Sequence, residues 1–240
     1  VKQSTTGTFF GGKIRVHQDH AGYRFSIDAV LLAYHAVPRC GDRVLDLGTG
    51  CGIIPLIMAY RHPSITVYGA EVQEGLAELA KLNVKDNRME DRIFILCSDM
   101  KLLKPAMTSG AVDLIVCNPP YRRPGSGRTN PDEQRAVARH EIKINLVEVV
   151  QTARRMLRTS GRFITIYTAA RLADLLFRMR TNGVEPKSVR TIHSNPGGEA
   201  KFIVVEGVKD GRPGLKIAPP LTVYTEHGDY TDEAKRMFDP

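Results

Sequence analysis

Four short apolar runs recur through the first half of the chain, and each ends on a polar residue. Arg43-Val44-Leu45-Asp46-Leu47 runs into Gly48, Ile65 to Ala70 ends at Glu71, and Arg92 to Cys97 is followed by Ser98-Asp99. Val112 to Cys117 leads to Asn118-Pro119-Pro120-Tyr121. Short apolar runs bounded by turn formers read as buried parallel strands. Between them, Ile53 to Tyr60 and Val72 to Val84 carry apolar residues at helical spacing. Strands alternating with helices predict a doubly wound, mostly parallel sheet of the Rossmann-like α/β kind. In such sheets ligands bind beyond the carboxyl ends of the strands, where these polar residues would stand.

Later segments extend the pattern. Lys143 to Leu157 reads as a helix, Gly161 to Tyr167 as a fifth strand and Ala169 to Met179 as another helix. Ser188 to His193 and Lys201 to Val208 flank Asn195-Pro196-Gly197-Gly198, too short a link for a crossover helix, so this pair must be antiparallel. The expected fold is a seven-stranded sheet ending in an antiparallel hairpin. Ahead of it, Gly11-Gly12 predicts a hairpin turn, and Ser26 is a candidate N-cap for a helix over the following apolar positions. Residues 1–40 are expected to cap the site, 41–210 to form the core and 211–240 to form a polar extension.

Asp46-Leu47-Gly48-Thr49-Gly50-Cys51-Gly52 places glycine at every second position of the turn after the first core strand. Glycine allows a tight turn and close approach of a ligand. The dinucleotide fingerprint spaces its glycines differently, to set pyrophosphate on a helix start. Here an aspartate precedes them, which repels pyrophosphate and suits a cationic amino-acid group. S-adenosylmethionine, with its ammonium and sulfonium, fits. Glu71 is placed to hold ribose hydroxyls, and Asp99 to accept from an adenine amino group, with Val72 or Met100 on the ring. Glu71 alone reads more readily as a surface acid at a strand end; it is the three acids at successive strand ends, behind a glycine-rich turn, that favour a ligand site.

Asn118-Pro119-Pro120-Tyr121 is stiffened by two prolines. The asparagine side-chain oxygen and a nearby backbone carbonyl can both accept from one planar NH2 group, directing its nitrogen at an electrophile. Tyr121 offers a face on which an unstacked base can lie. An ordinary Asn-Pro turn with a surface tyrosine would carry the same residues.

In combination these motifs resemble the class I S-adenosylmethionine-dependent methyltransferases that modify exocyclic amines. Tyr23-Arg24-Phe25-Ser26-Ile27-Asp28-Ala29-Val30-Leu31-Leu32-Ala33 and Ala138-Arg139-His140-Glu141 further resemble the bacterial adenine-N6 methyltransferases of valine tRNA. The resemblance implies that Gly48, Thr49, Gly50 and Gly52 border the methionine moiety, Glu71 the ribose, and Asp99 and Met100 the adenine. It implies that Phe25, Ser26 and Asp28 line the cofactor pocket. Asn118 and Pro119 would hold the target amine, with Asn118 also bordering the cofactor, and Tyr121 would stack on the base, with S-adenosylhomocysteine as product and no metal.

The 240 residues carry a net charge of +8, which tilts the partner toward a polyanion. Arg122, Arg123, Arg128, Arg135, Arg139 and Lys143 cluster after the Asn-Pro-Pro-Tyr turn and suit phosphate contacts, though a solvated loop of mixed charge has the same composition. The resemblance implies tRNA as the partner. RNA is favoured over duplex DNA because the chain has no obvious helix-turn-helix or target-recognition domain and an anticodon loop already splays its bases. Alternatives are a glutamine-amide methyltransferase of a release factor, a guanine-N2 methyltransferase of ribosomal RNA, and a non-catalytic RNA-binding subunit on the same fold. Release-factor enzymes carry a helical N-terminal domain, and only residues 1–42 precede the first core strand here. Cys40, Cys51, Cys97 and Cys117 contain no CxxC pair, which argues against a zinc site and a disulfide scaffold. No run approaches the roughly 20 apolar residues of a membrane span. A cytoplasmic protein with free thiols is expected, and a monomer is assumed.

Overall fold

The computed structural model describes residues 4–19, 27–119 and 146–238. Strands β1 (Ser4–Phe9) and β2 (Ile14–Asp19) form the expected antiparallel hairpin. Its turn runs through Phe10, Gly11 and Gly12, all at positive φ. Helix α1 (Ile27–His35) follows, then β3 (Arg43–Leu47), α2 (Ile53–Arg61), β4 (Thr66–Glu71), α3 (Glu74–Asp86), β5 (Ile93–Cys97) and β6 (Val112–Cys117). After α4 (Leu146–Met156) come β7 (Leu157–Thr168), α5 (Leu172–Thr181), β8 (Val184–His193) and β9 (Ala200–Lys209). Two two-residue strands, β10 (Lys216–Ile217) and β11 (Leu221–Thr222), and helix α6 (Asp232–Phe238) complete the chain.

The main sheet runs β10-β8-β9-β7-β6-β3-β4-β5, and β11 also pairs with β8. Seven long strands form its body. The pairs β6–β7, β6–β3, β3–β4 and β4–β5 are parallel, whereas β7–β9 and β8–β9 are antiparallel, as the short Asn195–Gly198 link requires. The short edge strands β10 and β11 add on parallel to β8.

Burial explains the continuous apolar runs. Val44, Val67, Leu114, Ile164 and Val204 pack on one face with α1, α2, the hairpin and α6. Leu45, Leu47, Ile115, Phe163 and Val205 pack on the other with α4 and α5. A strand covered on both faces cannot alternate apolar with polar. Among the described residues, no helix is long and apolar enough to cross a membrane.

Two differences from the sequence reading have local causes. β7 begins at Leu157, directly after α4, and its pairing with β6 shifts between Val112 and Leu114. Ser160 takes φ 60°, and a Cβ at Gly161 would lie 2.8 Å from the Arg158 carbonyl oxygen, so this irregularity needs glycine. Ala169–Arg171 is a 3₁₀ turn before α5, rather than its first turn.

The hairpin is bound to the core by side chains the pattern did not single out. Phe10 stacks on Tyr60 of α2 with ring centres 5.2 Å apart. Asn87 accepts from the Arg15 amide at 2.9 Å and donates to the Arg15 carbonyl at 2.6 Å. Asn83, one turn earlier on α3, treats His17 in the same way.

Candidate active site

The site is built where four parallel strands end side by side. Leu47 lies opposite Ala70 on one side and Cys117 on the other, and Glu71 lies opposite Cys97. Neighbouring strands are about 5 Å apart. The glycine turn after β3, Glu71 at the end of β4 and Asn118 beyond β6 therefore crowd one stretch of the carboxyl edge.

The glycine turn takes its shape from left-handed backbone: φ is 75° at Gly48, 57° at Gly50 and 84° at Gly52. The amides of Gly48 and Thr49 both donate to the Ala70 carbonyl, at 2.9 and 3.0 Å, which holds the turn against β4. A Cβ at Gly48 or Gly50 would meet nothing within 4 Å, so there is open space beside the turn. At Gly52 it would lie 3.3 Å from the Ala80 Cβ, so this glycine lets α3 pack closely.

Glu71 is buried and its carboxylate is committed. Oε2 accepts from the Gly50 amide at 2.9 Å, and Oε1 accepts from the Gln73 amide at 2.9 Å. Oε1 also accepts from Gln73 Nε2 at 3.4 Å, so Oε2 is the oxygen with a further lone pair for an incoming donor. Asn83 is fully buried and donates to the Cys51 carbonyl at 2.9 Å, as well as to His17. One asparagine thus joins the glycine turn to the hairpin.

Asp46 is 0% exposed, and neither carboxylate oxygen has a hydrogen-bond partner among the described residues. Burial pushes its pKa up to about 7; the nearby Thr49 hydroxyl opposes the rise without reaching hydrogen-bond geometry, and the Glu71 charge adds to it. A buried carboxylate in this state draws in a proton or a cation. Thr49 Oγ1 and Asn118 Oδ1 are likewise buried and unpartnered among the described residues. Four orphaned polar atoms, on Asp46, Thr49 and Asn118, mark a place built for a polar ligand.

The remaining candidates are distributed around this centre. Asp99 follows β5, where its Oδ1 caps a short 3₁₀ turn by accepting from the Lys101 amide at 2.9 Å. Met100 is half-buried and packs on the core, whereas Val72 is 41% exposed. Asp28 is buried in the first turn of α1, with Oδ1 accepting from the Ala29 amide at 2.9 Å. Pro119 is buried beside Asn118. Phe25, Ser26, Pro120, Tyr121, Arg122, Arg123, Arg128, Arg135, Arg139, His140, Glu141 and Lys143 lie outside the described residues.

Two neighbours of Asn118 were not anticipated as site supports. The Cys117 thiol donates to the Leu47 carbonyl at 3.2 Å, and the Thr165 hydroxyl donates to the Cys117 carbonyl at 2.8 Å. They fix the strand end that presents Asn118. Burial raises the Cys117 thiol well above its ordinary pKa, so it stays protonated and able to donate.

Residues 24–178 match the methyltransferase small domain. That stretch holds the glycine turn, Glu71, Asp99 and Asn118. The chain belongs to this methyltransferase family. A tRNA1(Val) (adenine(37)-N6)-methyltransferase from Porphyromonas gingivalis is 30% identical, over 98% of this chain and 94% of the relative. A second protein of that description, from Bacteroides thetaiotaomicron, is 29% identical over 92% of this chain and 91% of its own. Among solved structures, a predicted O-methyltransferase from Agrobacterium tumefaciens superimposes with a TM-score of 0.67 at 22% identity, covering 88% of this chain and 94% of that one. The methyltransferase fold thus extends beyond the matched domain, through the terminal antiparallel strands.

Proposed function

We propose that this methyltransferase moves a methyl group from S-adenosylmethionine to the exocyclic N6 of an adenine in tRNA. The observation that carries the reading is the placement of Asn118: its buried Oδ1, unpartnered among the described residues, stands beyond β6, next to the glycine turn beyond β3. The relatives' full-length similarity and their printed activity support adenine in tRNA over the other amines. The excess of positive charge supports an RNA partner. In this reading residues 41–210 are the catalytic core, residues 1–40 cap the cofactor and residues 211–240 extend the substrate side.

The residues present fit S-adenosylmethionine. Asp46 offers a cationic amino-acid group a carboxylate that has no partner among the described residues, and Thr49 Oγ1 offers a further polar contact. The open space beside Gly48 and Gly50 admits the methionine portion, and Glu71 faces the ribose. Asp99, Met100 and Val72 border the adenine, with Phe25, Ser26 and Asp28 closing the pocket. Bound there, S-adenosylmethionine supplies an electrophilic methyl carbon on sulfur.

The chain's own part is positional. An exocyclic NH2 is a weak nucleophile because its lone pair is delocalised into the ring. Asn118 Oδ1 and the Pro119 carbonyl accept its two N–H bonds, which favours a pyramidal nitrogen and points the lone pair at the donor. Fixed acceptors of this kind act by orientation and preorganised electrostatics. Pro120 restrains the corner, and Tyr121 stacks on the base. The nitrogen becomes acidic once alkylated and loses its proton to water, so no strong general base is required. Arg122, Arg123, Arg128 and Arg139 contact phosphates.

The test incubates the chain with labelled S-adenosylmethionine and, in separate reactions, unmodified tRNA, ribosomal RNA and a release factor. Nucleoside mass analysis is expected to find N6-methyladenosine in the tRNA alone. Label in a glutamine amide or in guanine would replace this reading with one of its rivals.

A further inference from the structure

The carboxyl edge does not end at Asn118. Past β6 it continues over β7, β9 and β8, and there it holds a hollow of about 70 Å³ lined by Ile27, Ile192, Lys201, Phe202, Val223 and Tyr224, among others. The register fixes its level. Phe202 lies opposite Thr168, the last residue of β7, and opposite Ile192 near the end of β8. The hollow is thus on the same edge as the glycine turn, two strands from β6, or roughly 10 Å at ordinary strand spacing. Ile27 opens α1, immediately after the residues expected to close the cofactor pocket.

Its chemistry is that of a nucleotide contact. Lys201 is exposed, with Nζ 5.8 Å from the centre of the Phe202 ring. Tyr224 is stacked on Tyr230, with ring centres 5.1 Å apart and planes 24° from parallel. Tyr230 in turn packs on Phe238 at 4.9 Å, so the Tyr224 ring is braced by a row of aromatics. Braced rings beside an exposed ammonium suit a base and its phosphate, and stacking tolerates any base. The walls from Ile192 to Tyr224 fall outside residues 24–178, the stretch matched to the methyltransferase small domain. Substrate selection is free to differ there without disturbing the cofactor site.

We infer that this hollow receives a nucleotide flanking the methylated adenine, its base against Phe202 and Tyr224 and its phosphate at Lys201. The inference rests on the reading of the chain as a tRNA methyltransferase. It also gives the C-terminal extension a role, since residues 221–224 and α6 hold up one wall of the RNA site.

The experiment compares wild type with Lys201→Glu, Lys201→Ala and Tyr224→Leu, using unmodified tRNA at several salt concentrations and calorimetry with S-adenosylhomocysteine. For Tyr224→Leu the KM for tRNA is expected to rise about five-fold or more, the scale of one lost stacking contact. Lys201→Ala should lower the salt slope of tRNA binding by about one. S-adenosylhomocysteine affinity should be unchanged in all three. Lys201 is exposed, so its variants remain informative should the tyrosine variant unfold. Wild-type KM and salt slope in both lysine variants would overturn the inference while leaving tRNA methylation standing. A wild-type chain that binds S-adenosylhomocysteine but leaves tRNA unmethylated would overturn the underlying reading, and this inference with it.

Discussion

The Gly50 amide donates to Glu71 Oε2 at 2.9 Å, across 21 residues of chain. An acid expected to serve a ribose also holds the glycine turn in place. Glu71→Ala removes an acceptor from two part-buried amides, those of Gly50 and Gln73. Each loss costs about 1–3 kcal/mol. The expected result is a clearly lower melting temperature and at least about ten-fold weaker S-adenosylhomocysteine binding. Calorimetric binding and thermal unfolding of the same preparation measure both. Loss of affinity without loss of stability would assign Glu71 to the ligand alone.

Asp46 makes the ligand-free protein sensitive to pH. Burial raises its carboxyl from an ordinary 3.8 to about 7, so between these values the folded chain holds a proton that the unfolded chain has released. Stability from this group is therefore complete below about pH 4, falls as pH rises toward 7 and is flat above. The span is on the order of 4 kcal/mol. Asp46→Asn should remove this slope and leave the ligand-free protein more stable than wild type at pH 8. Denaturant titrations of both proteins from pH 4 to 8 give the difference directly, free of the opposing contribution of buried His35, whose pKa is lowered by desolvation.

Asn83 predicts a coupling between the hairpin and the cofactor. It donates to Cys51 in the glycine turn and bonds both ways with His17 in β2. Asn83→Ala strands a buried carbonyl at Cys51 and part-buried groups at His17, and should cost about 2–3 kcal/mol while weakening S-adenosylhomocysteine binding. Asn87→Ala loosens the outer, solvent-exposed bonds to Arg15 and one to the Asn83 carbonyl, and should cost about 1 kcal/mol. Denaturant unfolding of the two variants checks the order.

Much of this molecule was legible in its residues. Parallel strands covered on both faces must be apolar throughout, so β3, β4 and β6 announced themselves, and Asn195-Pro196-Gly197-Gly198 forced the antiparallel pair. β5 is the edge strand, with Phe94 42% exposed and Cys97 exposed, so its apolar run is not the run of a buried strand. The glycines of the turn were legible because left-handed backbone leaves few other choices. Asn83 and Asn87 were not, because an asparagine spaced four residues from another on a helix reads as an ordinary polar face. Only the tertiary approach of β2 makes them main-chain partners. The support of Asn118 by Cys117 and Thr165 was hidden for the same reason: both look like core strand residues until β6 lies between β3 and β7. The dual duty of Glu71 was half visible, as an acid at a strand end without its amide partners.

The central claim is that Asn118 orients an amine, and that cofactor affinity does not depend on it even though it borders the cofactor. It is tested most directly by single-turnover methyl transfer to tRNA with wild type and Asn118→Ala, alongside S-adenosylhomocysteine calorimetry on both. The account predicts a transfer rate lower by a factor of about 100 or more, the scale of one preorganised polar contact, with affinity for S-adenosylhomocysteine within about two-fold of wild type. A variant that transfers methyl at the wild-type rate, or one that loses S-adenosylhomocysteine binding to the same extent as turnover, would contradict it.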